Sequence, residues 1–222
     1  MITFSDVSVE KSGTEILRGI DLTIRERRVG VIGRNGSGKS TFARLFNGIE
    51  VPTSGSVSLD ASGDPKQLRR HVGFVFQNPD NQIVYPIVWE DLEFGLKNLG
   101  LPRDEIRQRV DDVLKRFGLQ HLRDRFTHQL SGGEKQMVAL AGVLVMQPRM
   151  IVFDEPTTLL DLWNKQMLMA AMEELEQHIV VVSHDLELLK GFDRVLHFDD
   201  GVIIEDGEPG AVIANYVARS RC

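Results

Sequence analysis

The residues Gly33-Arg34-Asn35-Gly36-Ser37-Gly38-Lys39-Ser40 set glycines, a lysine and a hydroxyl in the spacing G-x-x-x-x-G-K-[ST], with Thr41 directly after. Glycine at 33, 36 and 38 lets the backbone wrap closely, so that N–H donors and the positive end of a following helix converge on one anion. Lys39 is suited to neutralise the β- and γ-phosphates of a nucleotide, and the Ser40 hydroxyl to ligate a Mg²⁺ ion that bridges them. A glycine-rich turn that merely joins a strand to a helix would not need the Lys-Ser pair in register.

A second cluster, Asp154-Glu155, ends the apolar run Met150-Ile151-Val152-Phe153. An open α/β sheet presents its ligand crevice at such strand ends. With the phosphate loop as neighbour, Asp154 would hold the Mg²⁺ shell, and Glu155 would orient and deprotonate an attacking water. Alone, the pair would read as a solvated turn; the loop reverses that reading. A third cluster, Leu130-Ser131-Gly132-Gly133-Glu134, opens the helix-compatible stretch 137–145. It reads as a second anion-binding helix start, with Ser131 at the cap and two glycines allowing close approach. The first loop already wraps one nucleotide, so this surface makes sense if it faces a nucleotide held by another molecule.

These groups need a frame. Apolar and polar residues nearly alternate over 2–9 and again at Ile20, Leu22 and Ile24, the pattern of half-buried antiparallel strands. The run 29–32 is continuously apolar and enters the glycine loop, after which 41–46 suits a helix. Short apolar runs at 72–76, 150–153 and 179–182 suit central strands, so a mostly parallel α/β sheet is expected. Between 78 and 147 the composition turns helical, with Ile106, Val110, Val113, Leu114 and Phe117 near one face of the charged run 104–116. That stretch reads as a helical lobe inserted in a single domain over 1–222. From Gly201 the chain reads as a short strand, a turn at 207–210 and a closing helix.

With 222 residues, 42% of them hydrophobic, the chain can bury a sizeable core. A net charge of −6 gives no basic field for a phosphate backbone, so no nucleic-acid partner is expected. The one cysteine, Cys222, excludes an intramolecular disulfide and fits a reducing compartment. The residues 1–10 have neither the basic flank nor the apolar core of a signal peptide, so no such leader is expected, and no apolar run approaches the roughly 20 residues a bilayer span needs. Any membrane attachment is expected through another subunit.

The phosphate loop, Leu130-Ser131-Gly132-Gly133-Glu134, Val152-Phe153-Asp154-Glu155-Pro156 and Ser183-His184-Asp185, in that order over nearly the whole chain, resemble the ATPases of the ABC family. The resemblance implies a RecA-like P-loop NTPase core with a mostly parallel sheet, an antiparallel β subdomain and an inserted helical subdomain, hydrolysing ATP with Mg²⁺. It implies that Gln77 touches Mg²⁺ and the attacking water and links the core to the helical lobe. It implies that Ser131, Gly132, Gly133 and Glu134 meet the ATP of a partner copy, that Asp161 speaks across the dimer, and that His184 contacts the γ-phosphate and supports Glu155. Two positions depart from the family. Lys11 stands where an aromatic residue usually stacks on adenine, so its stem and a nearby apolar residue would cover the base, or base selectivity would be weak. Met137 stands where an arginine is common.

The stretch Val75-Phe76-Gln77-Asn78-Pro79-Asp80-Asn81-Gln82-Ile83-Val84, with Glu90-Asp91-Leu92-Glu93-Phe94-Gly95 and Asn98-Leu99-Gly100-Leu101-Pro102, is similar to the energy-coupling-factor importers of vitamins and metal ions. Gln82-Ile83-Val84-Tyr85-Pro86-Ile87-Val88 and the short C-terminus are most similar to their biotin-transporting branch. That resemblance implies a homodimer at the cytoplasmic face of the cell membrane, attached through a transmembrane coupling subunit and a substrate-binding membrane subunit. Ile83, Val84, Tyr85 and Trp89 would be docking anchors, although Trp89 reads equally as a partly buried residue of the lobe. Another vitamin, cobalt or nickel stays open as cargo. ABC ATPases acting on nucleic acid carry a long coiled coil or a second ATPase domain, which this sequence lacks, and a purely regulatory nucleotide binder would not need both Glu155 and His184.

Overall fold

The structure, a computed structural model, describes residues 1–60 and 62–220; Cys222 lies outside the described residues. In chain order the strands and helices are β1 (Ile2–Lys11), β2 (Thr14–Ile24), β3 (Arg28–Gly33), α1 (Lys39–Leu45), β4 (Ser54–Leu59), α2 (Pro65–His71), β5 (Val72–Val75), α3 (Val88–Asn98) and α4 (Arg103–Arg116). They continue as α5 (Gly132–Leu144), β6 (Met150–Asp154), α6 (Leu162–Glu173), β7 (His178–Val182), α7 (Leu186–Leu189), β8 (Arg194–Asp199), β9 (Val202–Gly207) and α8 (Pro209–Arg219). The chain divides into two compact units, one made of Met1–Phe74, Arg149–Glu155 and Gln177–Cys222, the other of Val75–Pro148 and Pro156–Glu176. The second unit is wider than the helical stretch 78–147, because it also takes in α6.

In the first unit, β2, β1 and β4 form an antiparallel sheet. The alternation read along the sequence buries Ile2, Phe4, Val7 and Val9 of β1 and Ile20, Leu22 and Ile24 of β2 on one face. β4 was not legible in the same way: of its residues only Val57 and Leu59 are buried, and three serines and Gly55 fill the rest. The larger sheet has the order β5-β6-β7-β3-β8-β9. β6, β7, β3 and β8 run parallel and β9 closes the edge antiparallel to β8, so the expected mostly parallel core is present. The centres of β3, β6 and β7 are continuously apolar and buried, with Arg28, Asp154 and His178 confined to the strand ends.

The helix α1 carries Phe42 and Phe46 into the core of this unit. Phe42 stands 5.0 Å from Phe4 of β1, 5.0 Å from Phe46 and 4.7 Å from Phe198 of β8, ring centroid to ring centroid. One helix thereby ties the antiparallel sheet to the parallel one, at the point where the glycine loop ends. In the second unit, Val88, Leu92 and Leu96 of α3 and Ile106, Val110, Val113 and Leu114 of α4 are buried, together with most of α5. Arg123 lays its guanidinium over Trp89, 4.0 Å from the ring centroid, which leaves that tryptophan half-buried within its own unit. Because Phe42 joins both sheets, Phe42→Ala should lower unfolding stability by about 3–5 kcal/mol, measured by urea denaturation.

Candidate functional site

The glycine loop owes its course to two positions where only glycine fits. Gly33 has φ +149°, and a Cβ there would run into the carbonyl oxygen of Phe198. Gly38 has φ +96°, and a Cβ would come within 2.7 Å of Leu17 Cδ2 and 2.9 Å of the Ile16 carbonyl. The loop is therefore wedged against β2 on one side and β8 on the other. Its end is the start of α1, whose first N–H groups have no partner within the helix. Lys39 is buried and donates to the carbonyl oxygens of Gly33 and Arg34, at 2.8 and 2.7 Å. Burial pulls its pKa below the ordinary lysine value, against the pull of the Glu155 and Asp154 carboxylates.

At the end of β6, Asp154 accepts a hydrogen bond of 2.9 Å from the Ser40 hydroxyl. Its carboxyl is pushed above the ordinary aspartate value by burial, which outweighs Ser40, Arg44 and Lys39. Glu155 follows in a left-handed conformation, φ +51°, held by its N–H to the carbonyl of Val182 at 2.9 Å. Such a conformation is strained for a residue with a side chain. Its carboxylate meets His184 Nε2 at 3.0 Å, with the His184 backbone N–H at 3.4 Å from the other oxygen. Thus β3, β6 and β7, adjacent or next but one in the sheet, bring Gly33 to Thr41, Asp154, Glu155 and His184 together in the first unit.

Phosphate and Mg²⁺ fit this set. The Ser37 hydroxyl is buried in the loop with no hydrogen-bond partner among the described residues, a donor left for an anion. Ser40 and Asp154 offer paired oxygens of the hard kind Mg²⁺ takes.

Gln77, Ser131 to Glu134 and Asp161 belong to the second unit. Ser131 caps α5: its hydroxyl accepts from the Glu134 N–H at 3.3 Å, and the Glu134 carboxylate accepts from the Ser131 N–H at 2.7 Å. These bonds hold the Glu134 carboxyl below its ordinary value. The box leaves the N–H groups of Gly132 and Gly133 without a partner inside the helix. The two glycines differ. A Cβ on Gly132 would meet nothing, whereas one on Gly133 would collide with the Asn164 side chain, so Gly133 is small in order to pack against α6. Asp161 caps α6 by accepting from the Asn164 N–H at 2.8 Å. Asn164 was missed in the sequence; its place three residues after Asp161 was the available signal. Gln77 is exposed in the bend after β5. The turn that follows it is tied to α5 by Lys135 to Asp80 at 2.6 Å and by Gln82 to the Ala139 carbonyl at 2.7 Å. Lys11 is exposed and ion-paired with Glu50, while Met137 is buried in α5.

The sequence profile of the ABC transporter family matches residues 17–158. This chain belongs to the ABC transporter family. An ABC relative from Bartonella henselae, named provisionally as an ABC transporter ATP-binding protein, is 53% identical over 99% of this chain and 98% of its own. The biotin transport ATP-binding protein of Rhizobium etli is 45% identical over 97% of each chain. An energy-coupling factor transporter ATP-binding protein of Caldanaerobacter subterraneus is 41% identical over 95% of this chain and 80% of its own. Among solved structures, a dimeric ATP-binding cassette in a post-hydrolysis state bound to ADP and Pi superimposes with TM-score 0.82. It is 28% identical and covers 94% of this chain and 99% of that one. As an ABC family member the chain binds ATP and is the ATPase of a transporter, built on the P-loop NTPase fold. Among its described residues no helix is long and apolar enough to cross a membrane.

The raised pKa of Asp154 has a sign that can be checked. The folded chain holds this proton more tightly than the unfolded one, so stability is lost as pH rises from the ordinary aspartate value through the raised one. Asp154→Asn keeps an acceptor for Ser40 and removes the charge. In the nucleotide-free protein it should raise stability near neutral pH, on the order of 1 kcal/mol, with the gain shrinking as pH falls to about 4. Thermal melts across pH measure it.

Proposed function

We propose that two copies of this chain close head to tail around two ATP molecules, and that closure and hydrolysis drive an energy-coupling-factor importer whose cargo is biotin. The observation that carries the hydrolytic part is the 3.0 Å contact of His184 with Glu155, one residue beyond Asp154. Each ATP would lie between the phosphate loop of one copy and residues 131–133 of the other, where the free N–H groups of Gly132 and Gly133 suit a phosphate. Lys39 and the loop N–H groups hold the β- and γ-phosphates. Ser40 and Asp154 would hold Mg²⁺, which would neutralise charge on the phosphates when bound. Glu155 accepts the proton of the attacking water, and His184 keeps the Glu155 carboxylate in place and reaches toward the terminal phosphate. Asp161, at the start of α6, would answer across the pair.

Similarity to the biotin and energy-coupling-factor ATP-binding proteins supports the cargo and the importer type. A place for the membrane subunits is supported by the second unit: Val84 is 73% exposed, and the exposed Tyr85 and Phe94 stack at 5.0 Å. Nearby, Trp89, Glu93, Lys97, Leu101, Arg103 and Arg107 line a groove of about 560 Å³ that suits a helix end. The chain would then sit at the cytoplasmic face of the membrane, held there by a transmembrane coupling subunit beside a substrate-binding one.

Glu155→Gln should retain ATP binding, trap a dimer on size exclusion, and lower phosphate release by about 10²–10⁴-fold; near-normal turnover would remove Glu155 from its role. Tyr85→Ala with Phe94→Ala should leave ATP binding by the isolated chain unchanged while membrane subunits no longer co-purify in mild detergent.

A further inference from the structure

The start of α6 puts a side chain where α5 has none. Gly133 lies in the first turn of α5, and the Cα–Cβ direction of a helical residue leans toward the helix N-terminus. A Cβ built there would overlap Oδ1 and Cγ of Asn164 and stand 2.7 Å from its Nδ2. The Asn164 carboxamide thus occupies the volume a side chain at 133 would fill, and it borders the helix end at which the N–H groups of Gly132 and Gly133 lack a partner inside the helix. Asn164 is half-buried, and its backbone N–H is spent on Asp161 at 2.8 Å. Its carboxamide makes no hydrogen bond among the described residues, so a half-turn that exchanges Oδ1 and Nδ2 breaks none. As mere filler, a carboxamide has no advantage over leucine, which is of similar size and has no polar atoms to satisfy.

The charges at this corner decide what kind of donor it can offer. The bonds with Ser131 hold the Glu134 carboxyl below its ordinary pKa, helped by His121 and Arg125, and keep it ionised. Asp161 is engaged by the Asn164 N–H, and Lys135 by Asp80 at 2.6 Å. Two carboxylates therefore stand near the helix start, and no free cation answers a phosphate from this side. None is needed if the phosphate arrives with its charge already met by Lys39 of the copy that carries it. What this half of the site can add is neutral N–H donors, and a side-chain amide is one.

We propose that Asn164 is a further nucleotide-binding residue, its Nδ2 donating to a phosphate of the partner copy's ATP beside the N–H groups of Gly132 and Gly133. The inference rests on the head-to-tail pairing proposed above. Gly133 is then glycine in order to admit this carboxamide, and α6 contributes a donor to a site otherwise built on α5.

The test uses the full chain carrying Glu155→Gln, so that MgATP is bound and not consumed. Pairing is followed by sedimentation velocity across a range of MgATP concentrations, with melting and the binding of a fluorescent ATP analogue by dilute single copies as controls. Asn164→Asp is the deciding variant. It keeps the shape of the side chain, and a carboxylate in the first turn of α6 suits the helix dipole, so this chain should melt no lower than its parent. Its charge opposes an incoming phosphate, so ATP-driven pairing should weaken about 100-fold, against about 10-fold for Asn164→Ala, which only removes the donor. Pairing by Asn164→Asp as tight as that of the parent, or no weaker than that of Asn164→Ala, would overturn the assignment of Asn164 and leave the head-to-tail reading standing. A parent chain that does not pair on MgATP would overturn that reading, and the role of Asn164 with it.

Discussion

Lys39, Asp154 and Glu155 leave water together at the ends of β3 and β6. Burial of any one of them alone would cost several kcal/mol, and the three are tolerable only as a set. The ammonium of Lys39 is satisfied by the carbonyl oxygens of Gly33 and Arg34, so the loop's own curvature solvates the charge the loop exists to carry. Asp154 leans on Ser40 and Glu155 on His184, one partner from α1 and the other from the turn after β7. The strand order places β7 between β6 and β3, which brings the ends that carry these groups side by side. Burial lowers the pKa of Lys39 and raises that of Asp154, so both are less favoured in their charged forms than they would be in water.

Much of this was legible in the sequence because it is local. The loop's glycines, Lys39 and Ser40 are consecutive, and the strand before them is a plain apolar run, so pattern alone locates both. The contact between Glu155 and His184 spans 29 residues and depends on the pairing of β6 with β7, which spacing does not encode. The family resemblance implied that role, and the structure places His184 Nε2 at 3.0 Å from the Glu155 carboxylate. β4 escaped notice because only its last four residues, Ser56 to Leu59, alternate, and β8 because Arg194, His197 and Asp199 leave it no continuous apolar run. Gly133 was read as clearance for a phosphate, whereas the space its side chain would fill is taken by Asn164. Two glycines in succession look alike in sequence, and only the packing of α5 against α6 tells them apart.

That packing bears on how the proposed motor would move. Gly133 fits against Asn164, and Asn164 donates to Asp161, so the starts of α5 and α6 are fastened to each other. The capping box fixes Ser131 and Glu134 to the same corner and leaves the Gly132 and Gly133 N–H groups without a partner inside the helix. A phosphate of the partner's ATP drawn to those donors would pull on both helices at once, because neither can shift without breaking a cap. From α5 such a displacement would pass to Asp80 through its contact with Lys135, and to Gln82 through its bond to the Ala139 carbonyl. Gln77 lies between β5 and that turn, and the exposed Val84 and Tyr85 lie just beyond it. A rigid corner at one end and an apolar surface at the other are what a lobe needs if nucleotide capture is to be felt by a membrane partner, and both are built from hydrogen bonds and ion pairs within this single unit.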